Sequence, residues 1–160
     1  MKYIEKQISW FLIFFFTSMI TLLTLSYYFQ WGDEPLDSTV FLIILSLLAL
    51  CLLLFFKMQT IVDKDCIKIF FGIGLICKKI NIKNIKHLEP VRNKWFYGWG
   101  IRMLKNGWLY NIKGLKAVEL KFNDRKSVIR IGTKNPEKII SAIELCIETI
   151  KRKQKNKIIY

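Results

Sequence analysis

Histidine, proline and acidic side chains are scarce in this chain, with one His, three Pro and 12 Asp+Glu in 160 residues. His87 has no second histidine and no neighbouring cysteine cluster, which leaves a metal centre or a catalytic triad without partners. The four cysteines, Cys51, Cys66, Cys77 and Cys146, are scattered and form no CxxC pair. That excludes a secreted disulfide framework and makes them small hydrophobes. The few carboxylates show no spacing suited to paired acid and base work. Charge is missing altogether from residues 8–29 and 38–56. What is present is apolar and basic: 52% hydrophobic residues, a mean hydropathy of +0.27 and a formal charge of +14. Disorder is excluded by the apolar content. The cations concentrate after the second uncharged run, where residues 57–160 hold 24 basic and 8 acidic side chains.

The two uncharged runs have membrane dimensions. Residues 8–29 would make a helix of about 33 Å and residues 38–56 one of about 28 Å, against a hydrocarbon core of ~30 Å. Both are longer than the apolar core of a cleaved signal peptide, and no small-residue cleavage site follows the first. A chain of this length has no room to cover two such helices on all sides. The connection 30–37 carries Asp33, Glu34 and Asp37 and no cation, while Lys2, Lys6, Lys57 and Lys64 flank the outer ends. Positive charge stays cytoplasmic, which predicts a hairpin with both termini inside. Trp10 at one end and Tyr27, Tyr28 and Trp31 at the other suit the two interfaces. No ionisable residue interrupts either run, which argues against a transport path.

Residues 58–153 alternate with a period of two. Ile67, Ile69 and Phe71 share one face, as do Ile80 and Ile82, Val118, Leu120 and Phe122, and Ile129 and Ile131. Turn residues separate these runs at 63–65, 72–74, 106–107, 113–114 and 123–124. The pattern predicts six or seven short antiparallel strands. Then the period lengthens. Asn135 and Pro136 suit a helix start, and Ile139, Ile140, Ile143, Ile147 and Ile150 form an apolar stripe at helical spacing. The expected class is therefore a transmembrane helix pair (residues 1–57) followed by an α+β domain (58–153) able to fold by itself, then a basic tail (154–160). A bent sheet closed at one end by an amphipathic C-terminal helix is the economical form of that domain.

The stretch from Ile61 to Glu148 resembles the bacterial pleckstrin-homology-like domains that follow a pair of transmembrane helices. The likeness rests on Val62-Asp63 with Ile67–Gly74 (IKIFFGIG), Gly98–Arg102 (GWGIR), Gly107–Gly114 (GWLYNIKG), Ala117–Leu120 (AVEL) and Arg130–Pro136 (RIGTKNP). It covers roughly 90 of the 160 residues. It implies a split β-barrel of about seven antiparallel strands with a C-terminal helix, and it implies no ligand, since domains of one shape serve many partners.

The richest local signal is the segment 92–105, with Arg92, Lys94, Arg102 and Lys105 around Trp95, Phe96, Tyr97 and Trp99. Cations mixed with aromatic rings suit an acidic headgroup surface. The same rings could instead cap the barrel, or stack on nucleic-acid bases. GlyIleGly at 72–74 lacks the third glycine and the helix of a dinucleotide fingerprint and reads as a turn. No catalytic, cofactor-binding or metal-binding residue is expected. The sequence leads to a non-enzymatic, multi-pass protein of a bacterial cell membrane, whose basic domain binds a partner protein or anionic phospholipid at the inner leaflet. The alternative is an anchored module for a soluble ligand or nucleic acid, the latter disfavoured.

Overall fold

The computed structural model describes residues 3–32 and 36–158, with side chains described to residue 153. Asp33, Glu34 and Pro35 of the connecting loop and the side chains of the basic tail lie outside the described residues.

The chain opens on a strand that its pattern did not announce, β1 (Tyr3–Ile8). Ser9 then ends the strand and caps α1 (Trp10–Tyr28), its Oγ accepting a hydrogen bond from the Leu12 N–H at 3.4 Å. Asp37 caps α2 (Ser38–Phe55), its carboxylate accepting from the N–H groups of Thr39 at 2.8 Å and Val40 at 3.4 Å. Such caps satisfy amide donors that have no partner within the helix. The helices are 19 and 18 residues long, roughly 28 and 27 Å. Neither contains a buried residue. Phe14 is 75% exposed and Ile43 63%. Apolar surface of this extent marks contact with something other than water. At the loop end the Tyr27 ring stacks on Phe41 with centroids 4.2 Å apart.

After the helices the chain rejoins the strand it left. β2 (Lys57–Val62) pairs antiparallel with β1 from Ile8↔Lys57 to Tyr3↔Val62. The Ser9 N–H donates to the Phe56 carbonyl at 3.0 Å. The hairpin is thus an excursion between two neighbouring strands of one sheet, and residues 3–8 belong with the sheet rather than with a hairpin unit of 1–57. β3 (Cys66–Phe71) and β4 (Ile76–Asn81) complete a four-stranded antiparallel meander.

The second sheet comprises β5 (Ile85–Arg92), β6 (Gly100–Leu104), β7 (Gly107–Asn111), β8 (Lys116–Phe122) and β9 (Val128–Gly132) in the order β5-β8-β9-β7-β6. β9 inserts between β8 and β7 and so runs parallel to β7. The described strands therefore number nine, and one pair departs from the all-antiparallel expectation. A period of two cannot reveal this, because it is the same for both pairings. The sheets share no ladder, and no barrel closes among the described residues. α3 (Pro136–Ile158) packs across them.

The core lies between the sheets and α3, where Ile67, Ile69, Phe71, Ile112, Val118, Leu120, Ile131, Ile139 and Ile143 are each at most 1% exposed. The expected strand faces and helix stripe are its lining. Ala117 and Glu119, on the opposite face of β8, are buried as well. β1 ties the layers together through polar groups. Glu5 accepts from the Thr133 hydroxyl at 2.6 Å, the Lys134 N–H at 2.8 Å and the Tyr3 hydroxyl at 3.1 Å. Gln7, 1% exposed, donates to the Gly132 carbonyl at 2.9 Å. Burial and then the Glu5 carboxylate push the Tyr3 phenol up to about 12.

Candidate functional site

Four contacts identify the end of the sheets that adjoins the helices. The Trp99 ring lies 4.7 Å from the ring of Phe11, in the first turn of α1. Gly100 lies beside the ring of Phe55, the last residue of α2, 3.9 Å from where its own Cβ would be. Gly72, with φ +54°, rests against the carbonyl of Leu53, so a Cβ there would fall on the backbone of α2. Gln7, three residues before α1, holds Gly132. Backbone bonds bring in the remaining connection, from Asn93 N–H to the Leu115 carbonyl at 2.7 Å and from Thr133 N–H to the Lys116 carbonyl at 3.0 Å. The connections 72–75, 92–99, 112–116 and 132–135 therefore share the hairpin end.

Those connections carry Arg92, Lys94, Lys113, Lys116 and Lys134, all exposed, and no acidic residue. The far end holds 63–65, 82–84, 105–106 and 123–127, where Asp63, Asp65 and Asp124 are mixed with the cations. The asymmetry comes from the order of strands, since no connection at the hairpin end contributes more than two charges by itself.

The segment 92–99 leaves β5 through Asn93, which is 3% exposed. Both atoms of the Asn93 side-chain amide are buried without a partner, a state that costs about 1–3 kcal/mol. A single 3-10 turn, Trp95–Tyr97, follows, and Gly98 (φ +63°) and Gly100 (φ +103°) steer the chain into β6 with angles that a Cβ would strain. Trp95 is 81% exposed and Phe96 60%, so these rings do not cap the core. They pack edge-on to each other with centroids 6.1 Å apart, and the Lys94 ammonium lies 5.5 Å from the centre of the Phe96 ring. Trp99, 37% exposed, bridges the segment to α1. Tyr97 is half-buried, 5.0 Å from Phe96.

The structure divides the expected group. Arg92, Lys94, Trp95, Phe96, Tyr97 and Trp99 lie together at the hairpin end. Arg102 leaves from the middle of β6, but its guanidinium reaches back to 3.6 Å from where a Cβ on Gly98 would stand and so stays with the segment, whereas Lys105 belongs to the β6–β7 turn at the far end. At about 3.3 Å per residue, extended chain carries Lys105 roughly 16 Å from Gly100. Lys113, Lys116 and Lys134 take its place. They were not singled out because they lie on two other connections, and only the ladder brings these together. On β6 and β7, Met103 and Trp108 form an exposed cross-strand apolar pair at 78% and 46%.

On β5, β8 and β9 several charges pair with one another. Glu89 and Glu119 stand opposite each other on β5 and β8, a carboxylate pair invisible in the spacing. Glu119 binds Arg130 at 2.6 Å, and Glu89 binds Lys121 at 2.9 Å. The Lys121 hydrogen bond holds the Glu89 carboxyl below its ordinary range. His87 is exposed, with Nε2 3.5 Å from Glu89. The four cysteines are free thiols, and burial raises that of Cys146. Among the described residues no group of three His, Cys, Asp or Glu side chains is placed to hold a metal ion. No protein-family model, curated protein or solved structure matches this chain.

Proposed function

We propose that this chain is a multi-pass protein of a bacterial cell membrane that holds a basic, pleckstrin-homology-like domain against the cytoplasmic leaflet. There it binds anionic lipid headgroups or a partner protein, without catalysing a reaction. One observation carries the reading. The end of the domain that meets the apolar helices presents exposed Trp95 and Phe96 and only cationic connections. Aromatic rings favour the membrane–water interface, and cations beside them meet lipid phosphates. Lys6 and Lys57 at the helix roots favour a cytoplasmic placement of the domain. Two layers with a C-terminal helix support the pleckstrin-homology-like assignment, while the parallel β7–β9 pair and the ninth strand depart from it.

The test uses the full chain in vesicles containing phosphatidylglycerol, with Trp95 as the sole tryptophan after Trp10, Trp31, Trp99 and Trp108 are changed to Phe. Lipids brominated near the top of their acyl chains should quench Trp95, and acrylamide in the water should quench it poorly. High salt should weaken the bromine quenching. A Trp95 open to acrylamide and blind to bromine, while a Trp10-only chain is quenched, would refute contact with the bilayer. Against nucleic acid, the test is a steep log–log salt slope in binding to duplex or single strands.

A further inference from the structure

We propose that the depression between the end of β5, the β7–β8 turn and the β9–α3 connection binds the phosphate of an acidic phospholipid headgroup. The inference rests on the membrane reading above and assigns it a site. The depression has a volume of about 510 Å³ and is lined by Arg92, Lys113, Leu115, Lys116, Thr133 and Lys134, together with Gly114. Its four cations come from three separate connections, gathered by the Asn93–Leu115 and Thr133–Lys116 backbone bonds.

The cluster works against the fold that builds it. Arg92 and Lys116 are direct cross-strand partners, and like charges so placed repel. None of the four cations makes an ion pair among the described residues. The carboxylate held at this connection, Glu5, already accepts hydrogen bonds from the Thr133 hydroxyl, the Lys134 N–H, the Tyr3 hydroxyl and Gln7. Its acceptor capacity is committed within the protein. An external anion with several oxygens can draw on four cations that line one depression, and a phosphate provides those oxygens. Leu115 and the aliphatic stems of the lysines offer apolar contact beside that charge.

Position selects the lipid over a soluble phosphate. Thr133 follows Gly132, whose carbonyl is bonded to Gln7, and α1 begins three residues later. Three extended residues span about 10 Å, and the headgroup layer beyond the hydrocarbon is some 5–8 Å deep on each side. A lipid standing beside α1 therefore brings its phosphate to this depression, whereas a soluble ligand would not need a site at the helix roots.

Native mass spectrometry of the full chain in detergent, titrated with dioctanoyl phosphatidylglycerol, the matching phosphatidylcholine and glycerol phosphate, tests the site. The wild-type chain should retain one phosphatidylglycerol at least about tenfold more tightly than phosphatidylcholine. Arg92→Gln with Lys116→Gln should weaken it roughly 25-fold, at about fivefold per cation. The distal pair Lys64→Gln with Lys126→Gln should leave it within about twofold, since both lie more than a Debye length away. The thermal midpoint of the first double variant should hold or rise as the repulsion is relieved, which excludes misfolding as the cause of lost binding. Absence of preference for phosphatidylglycerol, or equal losses from the two double variants, would overturn the site. Glycerol phosphate binding as tightly as the lipid would overturn the lipid assignment. If Trp95 stays quenched by brominated lipid while the site fails, the membrane reading survives; if Trp95 is not quenched in the wild-type chain, that reading fails first.

Discussion

The two ends of the β domain are built from the same kind of turns and carry different chemistry. At the far end, connections mix acid with base, and Asp124 accepts a hydrogen bond from Asn84 at 2.8 Å. At the hairpin end the connections carry cations only, and large rings stand in the open. The far end can remain in water with acidic side chains set among its cations. The hairpin end combines unbalanced positive charge with exposed Trp95 and Phe96, which water accommodates poorly and a headgroup layer accommodates well. The difference lies in how connections are grouped and is absent from the net charge.

The junction at the hairpin end is also the place where the fold is most easily broken. Removing residues 1–9 should abolish cooperative unfolding, because β2 loses its ladder partner and the Glu5 and Gln7 bonds to β9 and to the β9–α3 connection disappear. The loss should be on the order of 5 kcal/mol or more, comparable to the whole stability of a small domain. A chain beginning at residue 58 lacks the same ladder partner and should fail in the same way, against the expectation that the domain folds from 58 onward. Replacing residues 9–56 by Asn-Gly should restore a soluble fold, since Ile8 and Lys57 are already paired and a two-residue loop can join them. Circular dichroism that is mainly β with a cooperative thermal transition is the expected result; an unfolded spectrum would show that the helices themselves hold the sheet.

A smaller contrast compares two glycines of one turn. Gly72→Ala should destabilise by about 3 kcal/mol or more, as its Cβ would collide with the backbone of α2. Gly74→Ala should cost about 1 kcal/mol, from its φ of +102° alone, because nothing lies within 4 Å. Urea midpoints of the full chain in mild detergent compare them. Similar losses would mean that the turn does not bear on the helix.

The smallest expected effect is one of pH. The folded Tyr3 phenol titrates near 12 against an ordinary value of 10.0. A folded value above the unfolded one gives a contribution complete below about pH 10 and lost as pH climbs toward 12. Tyr3→Phe should flatten that alkaline limb of thermal stability. An unchanged limb would assign it to other groups, Lys121 among them, whose bond to Glu89 shifts it in the same direction.

Much of this architecture was legible in local pattern. The helices followed from uncharged length, and the buried faces Ile67-Ile69-Phe71 and Val118-Leu120-Phe122 from alternation. β1 was hidden because its pattern is inverted. Tyr3, Glu5 and Gln7 face inward for their hydrogen bonds, and Ile4 and Ile8 face outward at 47% and 43% exposure. Alternation alone would have turned that strand the wrong way. In the candidate site, Arg92 through Trp99 could be found as one continuous stretch. Lys105 was wrongly grouped with them because six residues of sequence were taken as proximity, when an extended strand makes them distance.

The sequence by itself determined the membrane-sized helices, the faces of the central strands and the apolar stripe of α3, because each depends on residues within a few positions of one another. Only the tertiary structure decided that the hairpin interrupts a sheet, that β9 enters between β8 and β7, and that Lys113, Lys116 and Lys134 join Arg92 beneath the helices. Ladder register, strand order and the packing of one sheet on the other bring together residues up to more than a hundred positions apart, as Gln7 and Gly132 are across the two sheets. Periodicity records which face of a strand is buried and holds no trace of which strand lies next to it.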